Sequence, residues 1–235
     1  MQLLFDDRYA PLTTEIGALE CDLDRSVAAY LSWERGLDRN MPVTFAARDI
    51  PGGLAAGLQG LLPLSVGMRR RFLFVSTTSS WTAYFDNGHQ GADAFPPMSY
   101  LATVLGCRGL KTYALENTRR GRLGRYGGLS FELYGPVGNP MNYVRSVGLA
   151  NDGGRWTFHQ YGEPLPGEAT EQYAAAKKKD RFTFVDLIWL HNIVLGGNPF
   201  SEEFYAGCRC VLVERHGPDF PGERAVSLAE ARAHF

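Results

Sequence analysis

The chain has 235 residues, 45% of them apolar and 21% charged, values of an ordinary globular protein that argue against disorder, collagen and coiled coil. Its 24 basic and 25 acidic side chains leave a formal net charge of −1, so no global field gathers nucleic acid or anionic membrane, and nucleic acid is not an expected partner. A chain of this size buries about 72% of its unfolded surface, enough for a sizeable core without disulfide staples.

Asp6, Asp7 and Arg8 follow Phe5, where a secretory leader would carry an unbroken apolar stretch after basic residues, so export by that route is not expected. Residues 1–65 read as an N-terminal helical arm or subdomain, with a helix over 24–35 and a turn at Pro51-Gly52-Gly53 before a short apolar segment. That segment, from Leu54 to Val66, is broken by Gly57, Gln59, Gly60 and Pro63 and falls short of the ~18 residues of a membrane span, so no membrane partner is expected. Residues 66–235 read as a sheet domain joined to the arm in one compact unit. Its β-patterned runs are 71–75, 81–85, 110–115, 129–134, 143–149, 155–161 and 208–214, with turn signals between them.

Asp152-Gly153 between two such runs predicts a hairpin, because both central positions of a tight two-residue turn favour positive φ. Centring the turn there sets Leu149 opposite Trp156 and Val147 opposite Phe158, with Ser146 opposite His159 and Val144 opposite Tyr161 on a mixed face free to meet another molecule. Two helices interrupt the strands. Pro96-Pro97 starts the first, Met98, Leu101 and Leu105 line it, and Gly106 stops it. Thr183 and Asp186 form a capping-box start for the second, which carries Phe184, Leu187, Ile188, His191 and Leu195 on one stripe before Gly196-Gly197. The expected fold is α+β: a largely antiparallel β-sheet with helices packed on one face and an N-terminal helical arm.

The residues that carry chemistry are scattered. Cys21, Cys107, Cys208 and Cys210 are too sparse for a disulfide scaffold and fit a reduced, cytoplasmic setting. Cys208 and Cys210 lie two apart in a strand pattern, which places both thiols on one face as packing residues. His89, His159, His191, His216 and His234 show no ligand spacing, so no metal site and no cofactor are expected. His191 falls on an apolar helix stripe, the place of a structural histidine. Phosphate-loop, nucleophile-elbow and zinc-helix signatures are absent, which weighs against an enzyme.

Among the carboxylates Asp86, Asp93, Glu132, Asp152 and Glu163, the first and fourth read as turn residues, in Asp86-Asn87-Gly88 and Asp152-Gly153. Glu132 faces away from Leu129, Phe131 and Leu133, where Arg145 or His159 would tune it as a general acid or simply pair with it. Arg119, Arg120, Arg122 and Arg125, ending on Tyr126, form a glycine-rich arginine loop suited to phosphate or carboxylate groups. Lys177, Lys178 and Lys179 read as the basic end of a helix. Tyr84 and Tyr161 are candidates for a partner surface.

The run from Ser80 to Gly88, with 152–158 and 180–183 downstream, resembles a group of uncharacterised bacterial cytosolic proteins over about residues 70–210. In size, charge and missing catalytic signatures the chain is also similar to immunity proteins that protect bacteria from polymorphic or type VI toxins. The resemblance implies a cytoplasmic protein that neutralises a toxin effector by direct complex formation. Arg119, Arg120, Arg122, Arg125 and Tyr126 are then the expected contacts. The alternative is a hydrolase or transferase acting on a small polar substrate through Glu132, Arg145 and His159. A third reading, a scaffold subunit, expects a large apolar patch with neither pocket nor charged loop.

Overall fold

The computed structural model describes residues 3–120, 124–136 and 142–234. In chain order these form β1 (Glu15–Leu19), α1 (Leu23–Leu37), β2 (Thr44–Ile50), α2 (Gly53–Gly60), β3 (Leu64–Val66), β4 (Arg71–Ser76), β5 (Thr82–Asp86) and α3 (Phe95–Leu105). There follow β6 (Gly109–Leu115), β7 (Gly128–Tyr134), β8 (Tyr143–Asp152), β9 (Arg155–Tyr161), α4 (Phe184–Leu195), β10 (Cys210–His216), β11 (Arg224–Val226) and α5 (Leu228–His234). Nine strands make one antiparallel sheet in the order β2-β10-β4-β5-β1-β6-β7-β8-β9, and β11 pairs with β3 in a small second sheet. The fold is α+β, and all seven β-patterned runs read from the sequence are strands of the large sheet.

Residues 1–65 do not form a separate arm. They supply β1, at the centre of the sheet between β5 and β6, and β2 at one edge. β1 escapes a pattern search because Glu-Ile-Gly-Ala-Leu is nearly buried throughout and shows no polar alternation. The helices also cover both faces of the sheet. Leu54 and Leu58 of α2 and Leu187 and Leu190 of α4 pack with Ile16, Leu73, Phe85, Phe131 and Val147 on one face. Val27 and Tyr30 of α1 and Met98 and Leu101 of α3 pack with Leu19, Phe72, Phe74 and Tyr84 on the other. β5 is buried at all five positions, so a single covering layer would leave half its side chains in water.

The β8–β9 hairpin turns at Gly153-Gly154, with φ of +58° and +89°, one residue later than the sequence suggested. Two glycines meet the positive-φ demand at less steric cost than Asp-Gly, and Asn151 Oδ1 accepts a 2.9 Å hydrogen bond from the Gly154 N–H. The pairing moves by two residues, setting Leu149 opposite Phe158, Ser146 opposite Tyr161 and Gly148 opposite His159. Because the slip is even, every side chain keeps its face. Lys177–Lys179 end no α-helix: Lys177 precedes and Lys178 and Lys179 open a short 3₁₀ turn at Lys178–Asp180, which follows another at Thr170–Ala174. The Gln172 side chain and Arg181 Nε there donate to the Asp180 and Ala175 carbonyls.

α3 and α4 form where their caps place them. Thr183 and Asp186 make the reciprocal capping box, and Gly106 and Gly196 end the two helices at φ of +64° and +73°. α3 lies directly on β1 and β6 because glycines face it there. A Cβ on Gly109 would stand 2.6 Å from the Met98 carbonyl oxygen, and one on Gly17 would stand 2.9 Å from Met98 Cγ. Helix backbone cannot yield as a side chain would, so Gly109→Ala is expected to cost about 1–3 kcal/mol. The measurement is the urea midpoint, and an unchanged midpoint would show that α3 can lift without loss.

Candidate functional site

Glu132, Arg145 and His159 do not converge. Glu132 pairs with Ser146 on the α3 face, while Arg145 pairs with Leu133 and so lies on the α4 face. Arg145 is fully buried. It forms an ion pair with Glu168, donates to the Tyr161 and Gly162 carbonyls at 3.1 and 2.7 Å, and lies over the Tyr173 ring. Burial pushes the Glu168 carboxyl up, but hydrogen bonds from Arg145, Tyr173 and the Leu165 N–H outweigh it and hold the group below the usual carboxylate range. This guanidinium ties residues 161–168 to β8 and has no free donor directed at the mixed face. His159 shares the Glu132 face but stands at the exposed edge strand over Gly148, without the expected partner Ser146.

Glu132 instead belongs to a row of charges crossing the sheet beneath α3. Its carboxylate accepts from Lys111 Nζ at 2.9 Å, Ser130 Oγ at 2.8 Å, Tyr134 OH at 2.7 Å and Tyr143 OH at 3.0 Å. Lys111 also faces Glu15 at 3.9 Å. Glu15 accepts the Ala94 N–H at 2.8 Å, and one strand further Asp86 accepts the Asp93 N–H at 2.8 Å and Arg69 Nε at 3.0 Å. Asp86 does make the expected turn, accepting from the Gly88 N–H, but it is also a fully buried ion-pair partner. Burial pushes Glu15 up to about 7, with Lys111 opposing the rise. Burial acts on Glu132 in the same direction, but Lys111 and the hydroxyl donors hold it below its ordinary value. Two carboxylates on one lysine are thus pushed apart. The sequence reading gave Glu15 and Lys111 no role and Asp86 only a turn role, because the three meet only through strand register.

The arginine loop is partly committed to its own fold. Arg119 donates to the Gly124 carbonyl at 3.1 Å and lies 5.1 Å above the Tyr126 ring, and Arg125 faces Asp7 at 3.6 Å. Arg120 is exposed, and Arg122 lies outside the described residues. Tyr84 is buried between Tyr30 and Phe74 and is no surface residue, because α1 covers its face, whereas Tyr161 is half exposed. His191 is buried, with Nε2 2.9 Å from Thr112 Oγ1, and burial pulls it down to about 3, the behaviour of a neutral core histidine. Among the described residues no group of three or more His, Cys, Asp or Glu could hold a metal ion, and no helix is long and apolar enough to cross a membrane.

An exposed apolar groove runs between α1 and α3. Trp33 and Tyr100 stack at 5.3 Å, flanked by Leu37 and Val104, which are 62% and 56% exposed. On one side of Trp33 a cavity of about 380 Å³ is lined by Ala29, Leu37, Tyr100 and Val104. On the other, a cavity of about 320 Å³ is lined by Tyr30, Phe72 and Tyr84 with Glu34, Asp93 and Arg69 at its polar side. The groove was legible in part: Trp33 and Leu37, and Tyr100 and Val104, are apolar pairs four apart that lie off the inward stripes of their helices. A second apolar ridge, Val185, Trp189 and Ile193 on α4, is also exposed, but Trp189 Nε1 is already spent on the Gly167 carbonyl at 2.7 Å.

The raised Glu15 carboxyl has a pH signature. Native chain holds a proton that unfolded chain releases between its ordinary 4.5 and about 7, so this group stabilises the fold below that window and the contribution fades as pH rises through it. Wild type is expected to lose roughly 2–4 kcal/mol of stability from this source across the window, and Glu15→Gln to lack that loss. Urea midpoints at the two ends of the window for both proteins decide it; parallel changes would contradict the assignment.

In comparisons with known proteins, no family model, no curated protein and no solved structure matches this chain.

Proposed function

We propose that the protein is a binding protein that receives a protein partner in the groove between α1 and α3, and that it acts in the cytoplasm as an immunity-type inhibitor of a bacterial toxin. The Trp33–Tyr100 stack carries the docking surface. Aromatic anchors dominate binding energy at interfaces, and rings already packed together lose little conformational freedom on association. The chemistry on either side of Trp33 specifies the partner. One cavity is apolar and the other sets Glu34 beside the Arg69–Asp93 ion pair, so a complementary surface offers an apolar side chain beside a hydrogen-bond donor for Glu34. The toxin-inhibitor part rests on the likeness to immunity proteins in size, charge and missing catalytic signatures, not on the groove. In this reading the arginine loop is secondary, since Arg119 and Arg125 already have intramolecular contacts.

A toxin encoded in an adjacent reading frame is the partner to test by co-expression and by titration. Wild type is expected to restore growth and to bind. The double variant Leu37→Asp, Val104→Asp is expected to lose about a hundredfold in affinity, about 2.7 kcal/mol, with little change in melting temperature because both side chains face water. Unchanged affinity in that variant would remove the groove, and failure of wild type to bind would remove the inhibitor reading.

A second reading, acid–base catalysis on a small polar substrate, is favoured by the opposed shifts of Glu15 and Glu132 around Lys111. It replaces Arg145 and His159 with Glu15 and Lys111 as companions of Glu132. It expects any hydrolytic or transfer activity of the protein to fall by about 10²-fold or more in Glu132→Gln, and unaltered turnover would exclude it.

A further inference from the structure

Cys208 and Cys210 stand at the α2 side of the sheet, with sulfurs 3.8 Å apart. Cys210 is buried against the core, and Cys208, just before β10, is only partly covered. α2 begins at an N-cap glycine, Gly52, which offers no side-chain acceptor to the first helical N–H groups. The Leu54 N–H at that helix start favours negative charge on the Cys208 sulfur, while the N–H of Cys208 itself is spent on the Tyr205 carbonyl at 3.0 Å. Cys208 therefore meets the Cys210 thiol at a helix N-terminus, where negative charge is favoured. The Cys210 hydrogen bond is the largest influence and pulls the Cys208 thiol down to about 7, while Cys210 is pushed up by the same contact and by burial. The neighbouring titratable group, Tyr205, is buried and donates its hydroxyl to the Pro199 carbonyl, so it does not compete for the thiolate. Packing alone explains Cys210 but not a partly covered second thiol 3.8 Å away at a helix N-terminus.

We propose that Cys208 and Cys210 form a reactive dithiol that is oxidised by low-molecular-weight disulfides. The Cys208 thiolate attacks one sulfur of the disulfide, forming a mixed disulfide and releasing the other half as a thiolate. Cys210 then gives up its proton to that thiolate and attacks the Cys208 sulfur, releasing the second half and leaving a Cys208–Cys210 bond. The protein loses two electrons and two protons, and the small disulfide becomes two thiols. The sulfurs need only close by about 1.8 Å to reach the ~2.05 Å bond, a matter of side-chain rotation. Cys107 is the internal control, since burial pushes its thiol up to about 11.

The test uses the full chain and oxidised glutathione as probe. Wild type is expected to acquire an internal disulfide without retained glutathione, and Cys210→Ser to trap glutathione on Cys208, both read by mass spectrometry of peptides. In wild type at pH 7, iodoacetamide is expected to label Cys208 about tenfold or more faster than Cys107, with a half-maximum near pH 7 that rises in Cys210→Ser. Equal labelling of Cys208 and Cys107, or glutathione retained on wild-type Cys208, would overturn the proposal. The labelling comparison needs no substitution, so it stands even if Cys210→Ser fails to fold.

Discussion

α3 is held on the sheet by two carboxylates and two glycines of the strands beneath it. Its prolines at 96 and 97 lack N–H groups, which reduces the donors that a helix start must satisfy. The N–H groups just upstream, of Asp93 and Ala94, are taken by Asp86 and Glu15 from adjacent central strands. Gly17 on β1 and Gly109 on β6 let the helix backbone approach the sheet. Placing α3 this way shields the carboxylates, which brings Lys111 and Arg69 to them. It also sets Tyr100 and Val104 beside Trp33. The charge row and the groove are therefore two consequences of one docking event.

The two faces of the sheet do different work. The α4 face is an apolar core that takes in the fully buried Arg145–Glu168 ion pair and a neutral histidine. The α1–α3 face combines an aromatic cluster around Tyr30 with a line of ionised or protonated carboxyls, and it leaves its helix crevice open to water. Burying charge is costly unless each group finds partners, and Glu132 does so with four donors. Glu15, with one backbone donor and a more distant lysine, meets the same cost by keeping its proton to higher pH.

The local signals in the sequence were reliable where they depended on neighbours along the chain. The capping box at Thr183, the stop glycines at 106 and 196 and the alternation through 129–134 each act within a few residues, and each appears in the fold. The hairpin was found with the right faces but its turn moved by one residue, because a Gly-Gly step beside Asp-Gly offered the better pair of positive-φ positions. The arm was misread for the opposite reason: β1 has no pattern of its own, and its place between β5 and β6 is set by partners far along the chain.

By itself the sequence determined an α+β chain with its main strands and the helices α1, α3 and α4. Strand order, the covering of both faces and the identity of the charged neighbours were decided only by tertiary structure. Glu132 illustrates why: alternation along β7 assigns its face, but whether that face meets Lys111 or Arg145 depends on pairings between strands. Local periodicity carries the direction of a side chain, whereas its partners follow from long-range register and from which helix seals the surface it enters.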